Sequence, residues 1–414
     1  GVSIILFAAE LIQKGTIEEI SQATLSRPSI ILSSNRASAI GIRINNQPCS
    51  ISVQRNWTET DVLSLCMPLI DHPKPKINGV ISENNKIVSS CLLILRQARL
   101  LPAGLMSIIS NVSLDDINHW SFKNDLINID ANDIQLYETS NSNKLTMSVK
   151  AKVPISYTDN CEIVIFRPKD GGDEHFCLIF GKTRNVNNDI NHDCNNTLVR
   201  IHSQCITGDI LESLKCDCGQ QLKESIKLMA NANEGLLIYL AQEGRDIGLL
   251  NKLRAYSLQE KGMDTVEANE ALGFNDDERL YYPAKEILSQ FKINKVRLIT
   301  NNPKKVEHML NLGINVTERI PIKIDANKHN KKYLETKSKK SGQEFEVCDA
   351  TIQDENGDEI AVTLWNDQCK KVAVGDKITI TNAQTDDQGR WGFKLKLFKN
   401  ASKIIVEKSE VTEN

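Results

Sequence analysis

Apolar and polar positions divide the chain into three stretches with different rhythms. Residues 1 to about 135 alternate apolar runs with Asn- and Ser-rich breaks: VSIILFAAELIQKG, PSIILSS, AIGIRI, PCSISVQ and SSCLLILRQARLLPAGLMSII. These lengths suit a mixture of strands and helices. GTIEEISQATLS has a threonine followed three residues later by a glutamate. That spacing predicts a short helix from Thr16 to Leu25 with Thr16 as its cap. From 136 onwards LTMSVKAKVPISY, CEIVIFRP and HFCLIFGK read as strands, with PKDGGDE turning between the last two. A further strand is expected at LVRIHSQC, after a polar loop, TRNVNNDINHDCNN, whose His192 and Cys194 have no second ligand pair.

Helical and strand periods then alternate. QQLKESIKLMANAN puts Leu222, Ile226 and Met229 on one helical stripe, and GLLIYLAQ has the length of a central strand. EGRDIGLLNKLRAYSLQEKG reads as a loop followed by a helix. KVRLIT is a strand, and NNPKKVEHMLNLG is a helix with Pro303 in its first turn. From about 344 to 405 the pattern has period two, broken by DENGDE and DDQGRWG, so this tail reads as all strand.

A chain of 414 residues has room for two or three domains and a sizeable core. Its 50 basic and 53 acidic residues nearly cancel, so no global field draws it to nucleic acid or to a membrane surface. Eleven cysteines without framework spacing suit a reducing compartment. The run GVSIILFAAELI contains a glutamate and is too short to span a bilayer, and it lacks the basic flank of a signal peptide. A soluble, cytoplasmic protein with no membrane partner is expected.

Candidate chemistry centres on RIHSQCITGDILESLKCDCG, where Cys205, Cys216 and Cys218 stand in a C-x10-C-x-C spacing. Zinc favours thiolates, and three protein ligands leave a fourth tetrahedral position for water, as in catalytic sites. Three ordinary buried thiols would give the same spacing, and spacing alone leaves both readings open. Two strand-to-helix turns add phosphate-binding chemistry: Glu243, Gly244 and Arg245 at one, Thr300 and Lys305 at the other. Free backbone N–H groups and cations at such turns receive phosphate.

The segments RIHSQCITGD, LKCDCGQQL, QEGRDIGLLNKLRAYSLQEKGMDTVEAN, LGFNDDER and LITNNPKKVEHMLNLGI closely resemble GTP cyclohydrolase II over about residues 147–340. The resemblance implies an α/β (α+β) domain and zinc-dependent hydrolysis of GTP to 2,5-diamino-6-ribosylamino-4(3H)-pyrimidinone 5′-phosphate, formate and pyrophosphate, at the start of riboflavin biosynthesis. It implies Cys205, Cys216 and Cys218 as zinc ligands and magnesium on the triphosphate. Arg200, Ile201, His202, Ser203, Gln204, Gln221, Glu243, Gly244, Arg245, Thr265, Thr300 and Lys305 fall on its GTP-contact positions. Asp277 matches a proton acceptor, Arg279 a nucleophile, and Tyr256 an active-site tyrosine. Arginine is a permanent cation, so an electrostatic clamp on the α-phosphate stands beside the nucleophile role. The family usually reads RVHSEC; Gln204 departs from it, which implies altered substrate affinity rather than lost chemistry. A homodimer is implied by the family.

FAAELI and LPAGLM in residues 1–135 are similar to 3,4-dihydroxy-2-butanone 4-phosphate synthase, the domain often fused ahead of this enzyme. Neither the acidic magnesium loop nor the His-containing block has a counterpart, and His72 reads as a solvated loop residue. A degenerate α/β domain that scaffolds or makes dimer contacts is expected. Residues 341–414, with DATIQDENGDEIAVTLWND and VGDKITITNA, resemble the all-β OB-fold of single-stranded-DNA-binding proteins. Trp365, Trp391 and Phe393 could stack on bases or equally pack a barrel, and the barrel's usual first strand would fall in KKYLETKSKKSGQ. The alternative to the enzyme is therefore a single-stranded nucleic-acid-binding protein with a non-catalytic middle domain. The intact zinc, EGR and DDER segments favour the enzyme.

Overall fold

A computed structural model of the chain describes residues 2–42, 46–79, 85–140, 145–169, 171–181, 183, 195–322, 324, 347–353, 359–365, 377–381, 383–387, 393–397 and 403–407. Residues Gly1–Tyr333 and Leu334–Asn414 are two separate compact units.

The first unit opens with β1 (Ser3–Ala8), α1 (Thr16–Thr24), β2 (Ser29–Leu32), α2 (Ser34–Ala39), β3 (Cys49–Ser52), α3 (Glu59–Cys66), α4 (Asn85–Gln97) and β4 (Ala103–Ile109). The four strands form an antiparallel sheet in the order β1-β4-β2-β3. Ile30, Leu32, Ile51 and Leu105 are buried on one face against Val62, Leu65 and Trp57. Thr16 is not the cap of α1. Gly15 holds that position, in the left-handed region, and the Thr16 hydroxyl instead accepts from Gln13 N at 3.0 Å. A hydroxyl already committed to the preceding turn cannot also cap the helix ahead of it. His72 lies in a loop as expected, but it is paired with Asp61 Oδ1 at 3.1 Å.

Two short helices, α5 (Ile117–Lys123) and α6 (Ala131–Ser140), lead into a seven-stranded sheet. Its elements are β5 (Leu145–Lys152), β6 (Cys161–Pro168), β7 (His175–Gly181), β8 (Asn195–Ser203), α7 (Cys218–Ala232), β9 (Glu234–Leu240), α8 (Gly248–Glu260), α9 (Thr265–Leu272), α10 (Tyr282–Gln290), β10 (Lys295–Ile299), α11 (Pro303–Asn311) and β11 (Asn315–Ile320). The strand order is β11-β10-β8-β9-β7-β6-β5. The half from β11 to β9 is parallel, and the half from β9 to β5 is antiparallel.

Both faces of this sheet are covered. Val199, Ile201, Leu236 and Ile238 pack against Ala284, Ile287 and Leu288 of α10. On the other face Leu198, Leu237 and Ile299 pack against α7, with Met229 buried and Leu222 and Ile226 beside it. The three-residue stripe expected on α7 is thus its inner face. β9 stands fourth of seven strands, the central strand its apolar run required.

The second unit contributes β12 (Val347–Gln353), β13 (Glu359–Trp365), β14 (Lys377–Thr381), β15 (Ala383–Asp387), β16 (Phe393–Leu397) and β17 (Lys403–Glu407). They form a sheet in the order β12-β13-β16-β15 and a pair β14-β17. Trp365 ends β13 and Phe393 opens β16. Trp391, the segment 331–343, and His192 and Cys194 lie outside the described residues.

Candidate active site

Open α/β sheets offer a crevice at the carboxyl ends of their parallel strands, and the chemistry-bearing residues gather there. After β8, Gln204 N still pairs with Leu240 O at 2.8 Å. The chain then makes one wide helical turn, Ile206–Ile210. This turn swings back so that Cys205 Sγ lies 3.7 Å from Cys216 Sγ, with Cys218 opening α7 beside them. All three sulfurs lie within 4.8 Å of one another. Four-coordinate zinc with Zn–S bonds near 2.3 Å holds its sulfurs about 3.8 Å apart, so this donor set fits such an ion.

Two glycines make the approach possible. A Cβ on Gly208 would lie 2.7 Å from Cys216 Sγ and 3.0 Å from Cys205 Sγ, and one on Gly219 would lie 2.1 Å from Gly208 O. The described cysteines are all free, so the cluster is not a disulfide.

Buried charges fix the turn. Asp209 accepts from Cys205 N at 3.0 Å and from Tyr239 OH at 2.9 Å, and it meets His202 Nε2 at 3.1 Å. Glu243 accepts from Ile206 N at 2.6 Å and from Lys252 Nζ at 2.8 Å; that ammonium is also 3.0 Å from Cys205 Sγ. Hydrogen bonds from Cys216 and Cys218, reinforced by Lys252, pull the Cys205 thiol down, while the contact with Cys205 pushes Cys216 and Cys218 up. Burial alone would lower Lys252, but Cys205 and Glu243 outweigh it and keep the ammonium charged. Burial holds His202 below the ordinary histidine value. Tyr256 OH lies 3.5 Å from Thr207 Oγ1, and burial pushes that phenol up to about 12.

The neighbouring strand ends bring cations. Arg200 donates to Ile299 O at 3.1 Å and to Gln221 Oε1 at 2.7 Å, and burial pulls it down to about 10. Its Nε is buried without a partner, a cost the site accepts unless a ligand relieves it. Lys305 Nζ donates to Ile201 O at 2.9 Å, 5.2 Å from the Tyr281 ring centroid. Thr300 Oγ1 accepts from Asn302 N at 3.1 Å, and Ser203 Oγ donates to Gln242 Oε1 at 3.2 Å.

In the turn after β9, Gly244, Arg245 and Asp246 all have positive φ, of 65°, 61° and 74°. Left-handed non-glycine residues store strain that clusters at functional sites. Arg245 donates to Asp276 O at 2.7 Å, tying this turn to the segment 273–280. There Arg279 Nε donates to Asp277 Oδ1 at 2.7 Å. Burial works to raise Asp277, but Arg279 outweighs it and holds the carboxyl below its usual value.

The expected residues are therefore mostly brought together around the ends of β8, β9 and β10. Thr265 opens α9, and its hydroxyl accepts from Gln259 Nε2 at 2.9 Å, tying α9 to α8. Ile201 takes part through its carbonyl, because its side chain lies in the core. Sequence reasoning missed Asp209, Tyr239 and Lys252. Only Asp209 had a local signal, a lone acid in the TGD between two of the cysteines.

Fold and site together define an α/β protein with a three-thiol cluster and a group of cations at the carboxyl ends of parallel strands. The family model described as GTP cyclohydrolase II matches residues 146–321. A GTP cyclohydrolase-2 of Azospirillum brasilense is 46% identical over 250 residues, which cover 60% of this chain and 63% of that protein. The riboflavin biosynthesis protein RibBA of Endomicrobium trichonymphae is 38% identical over 272 residues, 64% of this chain and 65% of that protein. A GTP cyclohydrolase-2 of Haemophilus influenzae (strain PittGG) is 47% identical over 199 residues, 48% of this chain and 88% of its own length. The chain thus spans just under two thirds of the first two relatives and most of the third. It belongs to the GTP cyclohydrolase II family of enzymes.

Proposed function

We propose that this chain hydrolyses GTP, opening the imidazole ring of the guanine with loss of formate and releasing pyrophosphate, as the first step of riboflavin biosynthesis. The observation that carries the reading is the three-thiol cluster, 3.7 Å between Cys205 and Cys216 Sγ, set beside the cations of β8, α11 and the 243–245 turn. Cys205, Cys216 and Cys218 would hold zinc, which when bound supplies Lewis acidity for attack of water on C8. The chain's own residues do the rest. Glu243, bonded to Ile206 N and Lys252 Nζ, and Asp209, bonded to Cys205 N and Tyr239 OH, hold the turn that carries the cluster.

Arg200, Arg245 and Lys305 supply cations for a triphosphate carrying magnesium, and the orphaned Arg200 Nε is a donor such a ligand could use. Arg279 serves as an electrostatic clamp on the α-phosphate. Its guanidinium is held by an ionised Asp277, and an arginine in that pairing is a poor nucleophile. Gln204 keeps the size of the family's glutamate without its charge, so Gln204→Glu is expected to change the KM for GTP rather than kcat.

Substitution of one cluster residue tests the reading. Cys216→Ser should lose zinc and formate release together while a folded chain persists. Formate release that survives in the zinc-free variant would remove the basis of the assignment.

A further inference from the structure

The segment 273–280, which carries Asp277 and Arg279, has no regular secondary structure, yet its backbone is not left to water. The partners come from residues about 240 positions away. Ser33 Oγ donates to Gly273 O at 2.6 Å. Asn35 Nδ2 donates to Phe274 O at 2.7 Å and reaches Asn275 Oδ1 at 3.3 Å. Arg36 Nη1 donates to Ala271 O at 2.9 Å, with the same guanidinium anchored on Leu65 O at 2.7 Å and Ser64 O at 3.3 Å. The last carbonyls of a helix have no intrahelical donors, so the start of α2 completes the end of α9. Gly273 has φ 95°, and a Cβ there would lie 2.8 Å from Ser33 Oγ.

Arg99 holds the residues on either side of the 243–245 turn. Arg99 Nη2 donates to Ala241 O at 3.0 Å, and Arg99 O accepts from Asn251 Nδ2 at 2.8 Å. Gly248, just beyond the turn, would bring a Cβ within 3.2 Å of Arg99 Cβ. The two gripped segments also bind each other: Arg245 Nη1 donates to Asp276 O at 2.7 Å, and Glu278 N donates to Arg245 O at 3.3 Å.

We propose that Ser33, Asn35 and Arg99 are positioning residues that hold the Asp277–Arg279 segment and the 243–245 turn in mutual register for the phosphate end of the substrate. The kinetic part rests on the proposed GTP reaction; the structural part does not. Residues 1–110 then contribute to the reaction by geometry and without touching substrate. A clamp group displaced by even 1 Å from its productive place costs rate steeply, whereas simple adhesion between two layers would affect stability alone.

The test uses the full chain with Ser33→Ala/Asn35→Ala, and with Ser33→Thr as the conservative variant that keeps the donor. Two readouts are needed: hydrogen exchange of peptide 273–281 against the central-strand peptide 234–240, and formate and pyrophosphate release measured separately. In the double variant, exchange of 273–281 should rise about tenfold with 234–240 unchanged, and pyrophosphate kcat should fall about tenfold with formate less affected and zinc content retained. Ser33→Thr should resemble the wild type. Unchanged exchange at 273–281, or equal losses of both products that track a lower melting temperature, would overturn the proposal. If the wild-type chain releases neither product, the GTP reading fails on its own, and the exchange comparison still decides this inference.

Discussion

Gly208 is the residue on which the thiol cluster depends most sharply. Any side chain there meets two of the three sulfurs within 3.0 Å. Overpacking of this kind costs about 1–3 kcal/mol, so Gly208→Ala should weaken zinc binding roughly tenfold to a hundredfold, read by competition with a coloured chelator. Affinity equal to wild type would show that the turn can give way. Asp246 offers a second prediction. Burial raises its carboxyl to about 6, above the ordinary aspartate value of 3.8. A folded-state value above the unfolded one favours folding below pH 4, and that advantage is lost as pH rises through 6. Asp246→Asn should therefore stabilise the chain at pH 8, by up to about 3 kcal/mol, and bring little gain at pH 4. Asparagine tolerates the positive φ of this position. A melting temperature unchanged at pH 8 would contradict the burial argument.

Single elements were legible where period and punctuation agreed. The stripe Leu222, Ile226, Met229 marked the inner face of α7, and the short apolar run of β9 marked the middle of the sheet. Met229 is fully buried, and a Cβ on Gly235 would lie 2.6 Å from its Cγ. Met229→Ala should cost about 2–5 kcal/mol, read as a shift in the denaturation midpoint with m unchanged. A shift below about 0.5 kcal/mol, the usual range for surface changes, would mean that α7 packs otherwise. The cap at Thr16 was misread because a hydroxyl next to a glycine can bond backwards as easily as forwards. The wide turn at Ile206–Ile210 left no trace in periodicity, since it depends on Gly208 and Gly219 touching across the two ends of the cysteine spacing.

At the scale of the molecule, the site owes its place to the parallel half of a mixed sheet, in which β8, β9 and β10 all end on one edge. Ordered segments of the family resemblance made the thiols, the EGR turn and the DDER segment readable as one site. What stayed hidden was long-range. Lys252 reaches Cys205 from α8, Glu10 pairs with Arg254 at 2.9 Å, and Arg36 crosses to α9. None of these pairs has a sequence-local pattern, because each partner satisfies its local rules without the other.

The central claim is that the three thiols hold a zinc ion that the chain uses to open the ring of GTP. Its most direct measurement is formate release from GTP by the purified chain in magnesium buffer, before and after removal of metal and again after zinc is restored. The account predicts formate from the metal-loaded chain, loss on chelation, and recovery with about one equivalent of zinc, as a single three-thiolate site requires. Formate release that persists in fully metal-free protein, or none from protein carrying zinc on Cys205, Cys216 and Cys218, would contradict it.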